Sequence, residues 1–253
     1  MEQSEGKLSN QVAIVTGAAQ GMGAATANCL AQEGAAVIVS DINGSKVAAV
    51  AEEINGTGGR AMPVEADVTK EDEVACMVER AIDNYGSVSI LVNNAGILYP
   101  TRIENVTKTE WDRVLDVNLN GTFLCSKAVL QTMKESGYGR IVNMSSSAGR
   151  SVSTLGGIHY TAAKAGVLGL TRAMAKEVAP FGITVNAVCP GLIDTEMVRI
   201  ECTPERIKGY EESFPISRLG TPEEVAQLIL YLVTDSKYIT GASIDINGGD
   251  LMM

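Results

Sequence analysis

The sequence has one histidine, His159, and five cysteines, none of them in a Cys-x-x-Cys pair. That scarcity leaves no ligand set for zinc, and no metal is expected. Cys29, Cys76, Cys125, Cys189 and Cys202 are scattered, frame no disulfide pattern, and suit a reducing cytoplasm. Long apolar runs are also missing, so no membrane-spanning segment is expected. Residues 1–10 (MEQSEGKLSN) hold no apolar signal core and read as a short flexible arm. Nor is there an excess of positive charge: 20 Lys and Arg stand against 30 Asp and Glu, a net −10. Nucleic acid and membrane surfaces are therefore not expected partners. An anionic cofactor is still allowed, because backbone dipoles at one site can outweigh the global charge.

What the chain does have is alternation. Short β-branched runs at 12–16, 35–40, 61–66, 88–92, 140–145, 183–188 and 243–246 are separated by helical patterns. These helical patterns cover about 21–33, 46–54, 70–85, 108–135, 158–179 and 222–233. Buried strands alternating with helices predict an α/β fold: a Rossmann-type, doubly wound, seven-stranded parallel sheet with helices on both faces. No linker or repeat interrupts it, so 11–253 is read as one domain. Its one long irregular stretch, 191–220, reads as a substrate loop or lid.

The first strand runs into TGAAQGMG, residues 16–23. Gly17, Gly21 and Gly23, with Gln20 and Met22 between them, open the next helix. Glycines let the backbone turn and approach a pyrophosphate, and a helix N-terminus offers free N–H groups and partial positive charge. The spacing is G-x-x-x-G-x-G rather than the usual G-x-G-x-x-G. Asp41 ends the second strand, where an acid accepts from both adenosine ribose hydroxyls and repels a 2′-phosphate. Ile42 follows in place of a basic residue, so NAD is favoured over NADP. Asp67-Val68 closes the third strand and Asn93-Asn94-Ala95-Gly96 the fourth. Ligands of open α/β sheets bind at the carboxyl ends of strands, so these signals converge on one crevice.

Tyr160 and Lys164 stand four residues apart in a helical pattern, on one face. An ammonium beside a phenol favours the phenolate, so Tyr160 is expected to ionise more easily than a free tyrosine. That suits a general acid–base for alcohol and ketone chemistry. Asn118 falls on the apolar stripe of its helix, where a buried amide must find partners.

The set TGAAQGMG (16–23), Asp67, NNAG (93–96), Asn118, the serines at 145–147, YTAAK (160–164) and PGLIDTEM (190–197) resembles the short-chain dehydrogenase/reductase family. The motifs match in order over nearly the whole chain. They look most like the family's bacterial 3-oxoacyl-carrier-protein reductase-like and secondary-alcohol dehydrogenase members. The resemblance implies that Tyr160 is the general acid–base and that Lys164 also holds the nicotinamide ribose. It implies that Asn118 holds a water linking the lysine to solvent. Pro190, Gly191, Ile193 and Thr195 would bind the nicotinamide carboxamide. The catalytic serine is open between two residues. Strand register picks Ser146, whereas the family's usual spacing back from the tyrosine picks Ser147.

Candidate substrate contacts are Ile97, Leu98, Tyr99, Leu155, His159, Met197 and the 191–220 loop. That wall is apolar and short of fixed positive charge, which favours a neutral secondary alcohol or its ketone as the small-molecule partner. An NADPH-dependent 3-oxoacyl thioester reductase is the alternative, and a non-catalytic nucleotide sensor on the same fold is a third. Surplus apolar residues in the helical stretches 108–135 and 158–179, with the family's habit, predict a homotetramer of dihedral symmetry.

Overall fold

The computed structural model describes residues 6–253. Seven parallel strands form one sheet in the order β3-β2-β1-β4-β5-β6-β7. They are β1 (Val12–Thr16), β2 (Ala36–Asp41), β3 (Arg60–Glu65), β4 (Ile90–Asn93), β5 (Gly139–Met144), β6 (Ile183–Pro190) and β7 (Ser243–Ile246). The strand order reverses between β1 and β4, whose registers place Val15 beside Val92. The crevice beyond their carboxyl ends is the switch point where such sheets bind ligands.

Each inner strand is apolar on both faces because each face carries its own core. Ala13, Val15, Val37, Val39, Ile90 and Val92 face one core, packed with α1 (Gly21–Gln32) and α9 (Pro222–Thr234). Ile14, Ile38, Leu91 and Ile141 alternate with them and face the other. That second core packs with α3 (Glu71–Tyr85), α5 (Gly121–Ser136) and α6 (Ile158–Val178). A period of two with apolar residues in both phases is what a central parallel strand requires. The remaining helices are α2 (Gly44–Gly56), α4 (Lys108–Leu115), α7 (Glu196–Glu201) and α8 (Pro204–Ser213).

Three expectations change. Residues 1–5 of the expected arm lie outside the described residues. Residues 6–10 are held, not loose: the Leu8 side chain is buried in the first core and its N–H donates to the Glu33 carbonyl at 2.8 Å. The single helix expected over 108–135 is two helices, α4 and α5, joined by a π-helical turn, Asp116–Asn120. Finally, 191–220 is not irregular throughout. It contains α7 and α8, and it closes on itself where Ile193 bridges Gly220.

Candidate active site

The crevice is built first by the turn after β1. Gly17 has φ +63°, and a side chain there would meet the Ala95 backbone at 2.7 Å. Gly23 is closer still: a Cβ would sit 2.2 Å from the Gly17 carbonyl oxygen. Asn94 ties the two strand ends together, its Nδ2 donating to the carbonyls of Thr16 (3.1 Å) and Gly17 (2.8 Å). The result is an open cleft of about 430 Å³ at the N-terminus of α1.

Gly17, Gln20, Gly21 and Met22 line that cleft on one side, and Asn94, Ala95 and Gly96 on the other. Asp41 and Ile42 line it at the end of β2, and Asp67 and Val68 beyond β3. Thr195 and Met197 close it from the 191–220 segment. Gly23 packs behind the turn. Burial pushes the Asp67 carboxyl up, but the Thr69 N–H and hydroxyl bonded to it outweigh this and hold it below the ordinary aspartate value. Sequence reasoning missed Lys46 and Arg113, which also line the cleft. Lys46 lies one turn into the helix after Asp41, a signal that was readable. Arg113 depends on how α4 is laid against the sheet, which no local pattern reveals.

A smaller pocket of about 80 Å³ adjoins, lined by Ser146, Ser147 and Tyr160. Leu98, Leu155, Met197, Pro190, Gly191, Ile193 and Thr195, all anticipated, also belong to its wall. The three serines at the end of β5 point to different tasks. Ser145 Oγ donates to the Lys164 carbonyl at 2.8 Å and is buried. Ser146 Oγ accepts from the Ala148 N–H at 3.1 Å and shares the pocket wall with the Tyr160 phenol, whose pKa it lowers. Ser147 starts a 3-10 turn and reaches only the pocket wall. Asp250, which was not anticipated, also lines this pocket.

Tyr160 and Lys164 lie in the first two turns of α6, and the Lys164 ammonium stands 5.6 Å from the Tyr160 ring centre. Lys164 Nζ donates to the Met144 carbonyl at 2.7 Å. The expected lowering of the Tyr160 pKa is not what the structure shows. Burial pushes the phenol up to about 12, opposed only by the neighbouring Ser146 hydroxyl. Burial also lowers the Lys164 ammonium to about 8. Burial, and not the neighbouring group, sets the direction of both shifts.

Asn118 is fully buried in the π-helical turn, its Nδ2 donating to Ile97 O (2.8 Å) and Val114 O (2.9 Å). Its Oδ1 has no hydrogen-bond partner among the described residues. A Cβ on Gly96 would meet that oxygen at 2.7 Å and Lys164 Nζ at 3.5 Å, so both polar atoms flank the bare Gly96 backbone. π-helical turns recur at functional sites because one extra residue re-aims the side chains around it.

Two substrate expectations fail. His159 does not line the pocket: it is fully buried and faces Glu110 on α4. Tyr99 packs edge-on against His159, with ring centres 6.3 Å apart, and also lies away from the pocket. The helical spacing that carries Tyr160 to the crevice turns its neighbour at position 159 by about 100° and into the protein.

The cradle fits a nicotinamide dinucleotide. Bare glycine backbone and the N-terminus of α1 line the cleft, as an anionic phosphate requires, and the Asp41 carboxylate lines it at the end of β2, as a ribose diol requires. Fold and site together define an NAD(P)-dependent oxidoreductase acting on CH–OH groups. A family model described as enoyl-(acyl carrier protein) reductase matches residues 17–250. A 3-oxoacyl-[acyl-carrier-protein] reductase of Synechocystis sp. is 44% identical, over 97% of this chain and 98% of that protein. A short-chain type dehydrogenase/reductase from Mycobacterium marinum superposes with a TM-score of 0.91 at 38% identity, covering 96% of each chain. A 3-oxoacyl-[acyl-carrier protein] reductase with bound NAD, from Brucella melitensis, gives a TM-score of 0.89 at 37% identity, over 98% of this chain and 95% of that one. The chain belongs to the short-chain dehydrogenase/reductase family.

Proposed function

We propose that this protein interconverts the 3-carbonyl of a 3-oxoacyl thioester and the corresponding 3-hydroxyl, using NAD(H). The observation that carries the chemistry is that Ser146 and Tyr160 line one pocket adjoining the dinucleotide cleft. The chemistry a bound nicotinamide brings is hydride transfer to or from carbon. Tyr160 gives its phenolic proton to the carbonyl oxygen on reduction, and takes it back on oxidation. A phenol at about 12 is in its protonated, donating form at neutral pH. Ser146 orients the same oxygen and steadies its developing charge. Lys164 holds the nicotinamide ribose, and the unpartnered Asn118 Oδ1 beside it is the acceptor a proton-relay water needs.

NAD is favoured over NADP by Asp41 at the ribose end, followed by the exposed, uncharged Ile42. Support for a thioester comes from the reductases to which the chain is similar. The neutral secondary alcohol favoured by the sequence is the second reading, and the small volume of the inner pocket, about 80 Å³, supports it. Five free cysteines suit a cytoplasmic setting. Exposed Phe123 on α5 and Ile158 on α6 are in keeping with a homotetramer.

The test is spectrophotometric. Acetoacetyl-coenzyme A with NADH is expected to lose absorbance at about 340 nm, where only the reduced nicotinamide absorbs. It should do so faster than with NADPH, and faster than a panel of secondary alcohols reduces NAD⁺. Faster turnover of the alcohols would transfer the proposal to the second reading, and activity with neither class would contradict both.

A further inference from the structure

We propose that Glu110 and His159 form a positioning pair that fixes where the Tyr160 phenol stands. The proposal rests on the reading of Tyr160 as general acid–base. His159 is the only histidine of the chain and is fully buried. Its Nδ1 lies 2.8 Å from the backbone nitrogen of Tyr160. A backbone N–H can only donate, so Nδ1 is the bare, accepting nitrogen. In the neutral ring the proton then sits on Nε2, which lies 2.8 Å from Glu110 Oε1 and donates to it.

The pair is built into the start of α6. The residue before the first turn of α6 is Gly157, which has no side chain to cap it. The first N–H groups of a helix have no partner within the helix. The Tyr160 N–H is shared: it donates to the Gly157 carbonyl at 3.1 Å and to His159 Nδ1 at 2.8 Å, so the ring adds a side-chain acceptor where Gly157 has none. Glu110 holds the ring from the other side and places a carboxylate near the positive end of α6. Glu110 is itself fixed, because hydrogen bonds first from His159 and then from Thr101 hold its carboxyl below the ordinary glutamate value.

The pair also joins two parts of the site. Glu110 belongs to α4, which runs directly into the π-helical turn that carries Asn118. A chain from α4 through Glu110 and His159 to the Tyr160 backbone therefore sets the phenol relative to Asn118 and Lys164. Acid–base catalysis is sensitive to such placement: an error near 1 Å is enough to cost about a hundredfold in rate.

Four variants of the full-length protein test this: His159→Phe, Glu110→Ala, Glu110→Gln and, as reference, Tyr160→Phe. His159→Phe and Glu110→Ala are expected to lower kcat about tenfold or more. They should leave KM and the affinity for NADH, read by its fluorescence, within about twofold of wild type. Glu110→Gln keeps an oxygen that accepts from Nε2 and is expected to restore most of kcat. Should His159→Phe fail to fold, the Glu110 pair decides alone, since Glu110 is partly exposed. The proposal is overturned if Glu110→Ala retains wild-type kcat, if Glu110→Gln is as slow as Glu110→Ala, or if kcat falls only together with NADH affinity. A Tyr160→Phe protein that turns over normally would instead remove the acid–base reading on which the proposal stands.

Discussion

Replacing Lys164 by methionine is expected to make the protein more stable near pH 7 while ending turnover. The reasoning starts from burial: the Lys164 ammonium is lowered from 10.5 to about 8, chiefly by desolvation. Because the folded value lies below the unfolded one, the unfolded chain binds the extra proton between about pH 8 and 10.5. Folding is thus penalised below pH 8, and the penalty disappears as pH rises through that window. The gap is worth about 3 kcal/mol. Methionine removes the charge at similar volume but leaves the Met144 carbonyl, bonded by Nζ at 2.7 Å, without its donor. That loss costs about 1 kcal/mol. The net gain near pH 7 is about 2 kcal/mol, or roughly 5 °C in melting temperature for a chain of this length. Thermal melts of both proteins near pH 7 and again near pH 10.5 provide the assay. The variant should melt higher near neutrality, with its advantage gone or reversed at the alkaline end. A variant that melts lower near pH 7, or a difference independent of pH, would refute the account of Lys164 as a buried charge held at a cost.

Other consequences can be tested more briefly. Asp41→Ala removes a charge-assisted acceptor for the ribose and a repulsion of the 2′-phosphate, so the ratio of kcat/KM for NADPH over NADH should rise roughly tenfold to a hundredfold. Gly23→Ala drives a Cβ to 2.2 Å from the Gly17 carbonyl oxygen and 2.9 Å from the Ala18 Cα, both of them backbone. NADH binding in a fluorescence titration should be lost and the melting temperature lowered. Ser146→Ala should reduce kcat about a hundredfold, whereas Ser147→Ala should stay within about threefold. The reverse ranking would return the choice to the spacing from the tyrosine.

Much of this was legible because it is periodic or glycine-dependent. The two-phase apolar pattern of 12–16 and 36–41 reads directly as central strands, and the turn at Gly17 requires a residue that tolerates φ +63°. Strand register favours Ser146, since a one-residue slip turns a side chain to the opposite face, and Ser146 and Ser147 both line the inner pocket. Other features were not local. The π-helical turn at 116–120 adds one residue to a stretch that looks like continuous helix from 108 to 135. Helices α7 and α8 form in 191–220 around a small apolar cluster of Val198, Cys202, Phe214 and Leu219, which Leu155 joins from outside the segment. Burial decided the two remaining corrections. The Tyr160–Lys164 spacing shows that the groups are near each other, but not how dry their surroundings are. His159 looked like a wall residue because it adjoins Tyr160, and its partner Glu110 comes from 49 residues away.

The whole account turns on the phenol of Tyr160 as the group that exchanges a proton with the substrate oxygen. The most direct measurement is turnover of Tyr160→Phe under saturating NADH, alongside a fluorescence titration of NADH binding. The account predicts a loss of about 10²- to 10⁴-fold in kcat with cofactor affinity unchanged. Near-normal turnover by the phenylalanine variant would contradict it.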